Sequence, residues 1–136
     1  MANHDQVDQE QLRFTLTDFC KEFGVTPRAL RFYEVRGLLS PARDGTTRVY
    51  SPKDRARLKL ILKCKRFGFT LTEIKDMLEL LSGEDNGAEQ RRVMLPKYRK
   101  QATFLREQID NMVAALEELE ASTKEIELIR AENGEI

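Results

Sequence analysis

The chain has 136 residues, 34% of them charged and 40% apolar, and its 23 Lys+Arg are matched by 23 Asp+Glu. That length suits one ordinary domain with an appendage, or one elongated domain. No stretch approaches the roughly 18 apolar residues of a membrane-spanning helix, and the polar, acidic opening from Met1 to Gln11 does not read as a signal peptide.

Zero net charge conceals an asymmetry. From Gln11 to Thr70 there are 14 Lys+Arg against 5 Asp+Glu, whereas from Leu71 to Ile136 there are 9 against 15. A basic front beside an acidic rear suggests that one end meets a polyanion. Cys20 and Cys64 are too few for a disulfide framework, so the reading expects reduced thiols in a cytosol.

Helix punctuation runs in chain order. Thr15-Leu16-Thr17-Asp18 reads as a capping box, in which hydroxyl and carboxylate each take a free backbone N–H. Leu16, Phe19, Cys20 and Phe23 share a face, and Gly24 ends the helix. Thr26-Pro27 opens a second helix to about Arg36, stopped by Gly37. Two short helices joined by a tight turn form a helix-turn-helix. Pro41, Asp44-Gly45 and the strand formers Thr47, Val49 and Tyr50 predict a small β-hairpin. Ser51-Pro52-Lys53-Asp54 is a second box, opening a helix to about Phe67 before Gly68. Thr70-Leu71-Thr72-Glu73 is a third, opening a helix to about Leu81.

After the polar segment SGEDNG the pattern changes. Tyr98, Ala102, Leu105, Ile109, Met112, Leu116, Leu119, Thr123 and Ile126 are spaced alternately four and three, an a/d seam over four heptads. Such a seam predicts a coiled coil with a partner chain, because a head of some seventy residues cannot easily cover it. Pro96 reads either as a kink or as the start of this helix.

These residues carry a resemblance. Gly24-Val25-Thr26-Pro27-Arg28-Ala29-Leu30-Arg31-Phe32-Tyr33-Glu34, Gly37-Leu38-Leu39, Arg48-Val49-Tyr50-Ser51 and Gly68-Phe69-Thr70-Leu71-Thr72-Glu73-Ile74 resemble the DNA-binding head of the MerR family of bacterial transcription regulators. The resemblance implies a mainly all-α fold: a winged helix-turn-helix head with a small β wing, then a long dimerisation helix in an antiparallel coiled coil. The expected division is a disordered arm over 1–11, the head over 12–82, a linker over 83–87, the coiled coil over 88–130 and a tail over 131–136. The implied partners are a second copy, a dyad-symmetric promoter operator in double-stranded DNA, and RNA polymerase indirectly, through DNA that is bent and untwisted. Such a regulator is cytoplasmic and nucleoid-associated. A fainter similarity points to regulators of branched-chain amino acid or acyl-CoA breakdown. Two departures stand out: Phe32 replaces the first of two adjacent tyrosines, and the wing, Gly45-Thr46-Thr47-Arg48, is one residue longer and lacks a ring.

On this reading Thr26 caps the recognition helix, and Arg28 and Arg31, at i and i+3, face the groove or its rim. Either arginine suits guanine or phosphate. Tyr33 offers its hydroxyl to the DNA backbone, while Leu30 and, with it, Phe32 point to the core. Arg43 and Arg48 on the wing are expected along the flanking phosphates. Tyr50 is placed with them, though a ring closing the wing onto the head is its commoner role. Lys63, Lys65 and Arg66 end the third helix beside Gly68, with Lys65 also suited to the helix C-terminus.

No Cys follows Cys64 and the one His is His4, so thiolate metal sensing along the dimer helix is not expected, nor is a cofactor. Cys64 lies beside Lys63, Lys65 and Arg66; it reads as a sensor thiol or as a packing residue, with packing the commoner case. Few residues follow the coiled coil, so no separate ligand domain is expected. Met94, Tyr98 and Phe104 line a small-effector site or simply pack. A competing reading is a coiled-coil adaptor with a basic head. An enzyme fits least: no Ser/His/Asp set or glycine-rich phosphate loop is present.

Overall fold

The structure, a computed structural model, describes residues 13–80 and 85–135. The expected arm over 1–11, and 83–84 of the linker, lie outside the described residues. In chain order come α1 (Leu16–Phe23), α2 (Pro27–Val35), the strands β1 (Ala42–Asp44) and β2 (Thr47–Val49), α3 (Pro52–Phe67), α4 (Leu71–Glu79) and α5 (Ala88–Glu132). Among the described residues the protein is mainly helical, with one two-stranded antiparallel sheet.

Local chemistry sets these boundaries. At α1, the Thr15 hydroxyl accepts from the Asp18 N–H while the Asp18 carboxylate accepts from the Thr15 N–H. At α3, Ser51 and Asp54 repeat the exchange, with Pro52 at the first helical position. The third box is incomplete. Thr70 accepts from the Glu73 N–H, but Glu73 takes the Thr70 hydroxyl rather than the Thr70 N–H.

Within the head, α2 and α3 end in Schellman turns, which need a residue of positive φ. After α2, Gly37 (φ 76°) donates to the Glu34 carbonyl and Leu38 to that of Tyr33. After α3, Gly68 (φ 93°) donates to the Lys65 carbonyl and Phe69 to that of Cys64. Each turn reverses the chain and delivers a buried residue, Leu38 or Phe69, to the core.

All four short helices share that core. Phe19, Leu30, Leu58, Ile61, Ile74 and Leu78 are fully buried, each such side chain contributing about 1.5–3 kcal/mol over an exposed one. The hairpin is fastened to it by Tyr50, whose backbone exchanges two hydrogen bonds with Phe14 and whose ring stacks on Phe19 at 4.5 Å.

The chain divides into two compact units between Val93 and Met94, inside α5 rather than in the polar segment before it. The first turns of α5 belong with the head, where Gln90 is buried and its amide donates to the Met77 carbonyl at 2.9 Å. Pro96 lies within α5, so it does not start the helix. It leaves the Arg92 carbonyl without its usual N–H. From Met94 to Glu132, α5 extends about 57 Å at 1.5 Å per residue.

Asp54 does more than cap. Only 5% exposed, it also accepts from the Ser40 N–H at 3.3 Å and so ties the chain entering the wing to the start of α3. Asp54→Ala should cost about 1–3 kcal/mol in urea unfolding, since three donors lose their acceptor. A loss under about 0.5 kcal/mol would contradict this role.

Candidate nucleic-acid interface

Nine residues make a helix too short to persist alone, so α2 depends on what grips it. Leu30 (0% exposed) and Tyr33 (3%) are that grip from below. Their i, i+3 spacing puts both on the inner face, and the opposite face carries Arg28, Arg31, Phe32 and Val35. The Thr26 hydroxyl accepts from the Ala29 N–H at 3.1 Å and fixes the exposed N-terminus. Arg31 folds back lightly, its Nε donating to the Pro27 carbonyl at 3.3 Å.

This arrangement corrects two expectations about α2. Tyr33 is not presented to solvent: its hydroxyl accepts from Lys65 Nζ at 3.1 Å, and the same ammonium lies 5.5 Å from the ring centroid. Phe32 is not in the core but 46% exposed, with the Arg36 guanidinium 5.6 Å over its ring. The reason is angular. A residue two positions from Leu30 lies about 200° around the helix, while one three positions on returns to the same side.

The wing is a tight hairpin, Asp44 pairing with Thr47 across Gly45-Thr46. Gly45 takes φ 66°, which the first position of a two-residue loop of this kind requires. Arg43 is exposed. Arg48 is not available in the same way: its Nε bonds both Glu34 oxygens at 2.8 and 2.9 Å, fastening β2 to α2. Arg48 therefore positions the hairpin against α2, whatever else its remaining N–H groups reach. Sequence order gave no sign of this pair, fourteen residues apart.

Tyr50 is a second correction on the wing. It is fully buried, so it closes the wing and does not face a ligand. Its hydroxyl lacks a well-formed hydrogen bond, and the Glu34 carboxylate is near enough to act on it electrostatically. Burial first, then that charge, pushes the phenol up to about 12.

Lys63, Lys65 and Arg66 are exposed at the end of α3, where they favour the helix C-terminus as well as an anion. Cys64 among them is fully buried, which removes the access a sensor thiol needs. Arg55 is engaged elsewhere. It pairs with Glu22 of α1, and that guanidinium holds the Glu22 carboxyl below the usual carboxylate range. Among the described residues Arg28, Arg31, Arg43, Lys63 and Arg66 carry no ion pair. No group of three or more His, Cys, Asp or Glu among the described residues is placed to hold a metal.

Comparison with known proteins decides the family. The model of the MerR HTH family regulatory proteins matches residues 14–81, and that described as MerR, DNA binding, matches 55–122. The chain belongs to the MerR HTH family. It is 30% identical over 105 residues to an HTH-type transcriptional regulator, a ZntR homolog, of Haemophilus influenzae, covering 76% of this chain and 78% of that one. It is 36% identical to the regulator CueR of Yersinia pestis, over 48% of each. A crystal structure of a MerR-family transcriptional regulator from Bacillus cereus aligns with TM-score 0.69 and 28% identity, over 84% of this chain and 82% of that one. The MerR-family regulator HiNmlR, solved bound to promoter DNA, aligns with TM-score 0.60 and 25% identity, over 75% and 79%. The chain is thus a MerR-type, DNA-binding transcription regulator.

Two measurements probe the wing. Glu34→Gln should cost about 1–3 kcal/mol, because Arg48 then keeps a partly buried charge without its counter-ion. A melting temperature unchanged from wild type would contradict the lock. Tyr50→Phe should change neutral-pH stability by less than about 1 kcal/mol, since the hydroxyl has no good partner. The raised phenol pKa favours the neutral form in the fold. Its contribution is complete below pH 10 and lost as pH climbs through about 12, so Tyr50→Phe should flatten the alkaline decline in stability. An identical decline in both proteins would contradict it.

Proposed function

We propose that this regulator works as a homodimer whose two heads, over 12–82, seat their α2 helices on a dyad-symmetric operator in duplex DNA. The coiled coil over 88–130 sets the spacing of the heads. DNA bent and untwisted between them then controls initiation, so RNA polymerase is affected through the DNA. The reading places the protein in the cytoplasm at the nucleoid and contains no chemical step.

The observation that carries it is the apolar stripe of α5. Leu105, Ile109, Met112, Leu116, Leu119 and Ile126 are between 38% and 72% exposed, all at seam positions, with Ala102 and Thr123 exposed between them and Tyr98 half-buried. A monomer rarely leaves so long an apolar row in water. Charge supports the antiparallel choice. From Met94 to Ile109 there are 4 Lys+Arg against 1 Asp+Glu, and from Asp110 to Ile136 there are 2 against 8. Antiparallel pairing sets the basic half of one helix beside the acidic half of the other, and parallel pairing sets like beside like. At the head, Arg28 and Arg31 on α2, Arg43 on β1, and Lys63 and Arg66 on α3, without an ion pair among the described residues, suit phosphate.

Sedimentation equilibrium tests the dimer, and fluorescence anisotropy on duplexes selected from a random pool tests the binding. Leu116→Glu should shift the protein to a monomer and weaken binding to a two-half-site duplex by at least about tenfold. Binding should also fall steeply with salt, by about 0.9 in log K per log salt for each phosphate neutralised. A variant that stays dimeric, or a wild type that prefers no duplex over any other, would contradict the reading. Unchanged binding alongside a lost dimer would favour an adaptor whose head docks without register.

A further inference from the structure

The outer face of α2 holds two side chains that phosphate binding does not explain. Val35 is 83% exposed and Phe32 46%, although both are apolar. They stand among the cations of the same face, Phe32 four residues from Arg28 and one from Arg31, and Val35 four from Arg31. With Leu30 and Tyr33 gripping the inner face, neither can turn inward without unseating the helix. The Arg36 guanidinium, 5.6 Å over the Phe32 ring, keeps the ring on that face.

Arg28 and Arg31 bring this face to DNA, and charge complementarity commits it to that occupant. In the major groove only thymine projects an apolar group, its C5-methyl, beside its O4 acceptor. We infer that Phe32, extended by Val35, is a specificity-determining contact that reads a thymine methyl in each half-site. The inference rests on the DNA-binding reading and goes beyond it, assigning a base preference to two residues. Val35 also borders an open groove beside Leu38, Leu71 and Lys75, so Phe32 carries the argument and Val35 widens the contact. The ring works here without the hydroxyl that a tyrosine at this position would add. Phe32 is therefore a contact for bases rather than for phosphate oxygens.

The test removes the methyl and nothing else. A preferred site is selected from a random duplex pool with the full-length wild-type protein, and each thymine is replaced in turn by deoxyuridine. At one or two symmetry-related positions the replacement should weaken wild-type binding about three- to fivefold, as expected for one lost apolar methyl contact. For Phe32→Ala the same replacement should have no effect, while Phe32→Tyr should keep the sensitivity because it keeps the ring. Circular dichroism should show both variants folded, since the side chain is half exposed. The proposal is overturned if the selected site lacks thymine, if no deoxyuridine weakens binding, or if the sensitivity survives in Phe32→Ala. A pool that yields no preferred site sinks the operator reading and the inference with it. A site without methyl sensitivity sinks the inference alone.

Discussion

The proposed seat of α2 on DNA depends on holding one nine-residue helix from a single side. An isolated helix of that length is marginal in water, so its stability is tertiary. Leu30 and Tyr33 anchor the inner face, the Schellman turn through Gly37 closes the end, and the Glu34–Arg48 pair braces it against the wing. None of these contacts uses the outer face. The division of labour leaves Arg28, Arg31, Phe32 and Val35 for a ligand, and it explains why Tyr33 and Arg48, both chemically suited to phosphate, are engaged within the protein.

The long helix answers a different constraint. Its seam is apolar and exposed, a condition that the proposed second copy would relieve over most of four heptads. The two demands fit together physically. A small head buries too little surface to place two helices at fixed spacing, and the proposed coiled coil would supply that spacing without any new chemistry at the head.

Element boundaries were legible because they are written locally. A hydroxyl or carboxylate three residues into a start, and a glycine past an end, act within one turn, and α1 and α3 begin and end where such residues stand. The MerR family was legible for the same reason, through contiguous motifs around the recognition helix. The orientation of side chains on α2 was less so. The hydroxyl of Tyr33 suggests the DNA backbone and the plain ring of Phe32 the core, although counting 100° per residue from Leu30 already favours Tyr33 inside. Pairs made across space left no trace in the order of residues. Glu34–Arg48, the third acceptor role of Asp54 and the Lys65–Tyr33 contact all join segments that only folding brings together. At Cys64 the sequence leaves two readings, a reactive thiol beside cations or the commoner packing residue, and its burial on the inward face of α3 agrees with packing.

In the proposed complex the outer face of α2 meets the duplex. Amide chemical-shift mapping of the full-length protein, titrated with a selected duplex, tests it most directly. The largest changes should fall on Thr26 to Arg31 and on Phe32 and Val35, with smaller ones at Arg43 and at Lys63 to Arg66. Changes confined to α5, or a titration that leaves α2 unmoved, would contradict it.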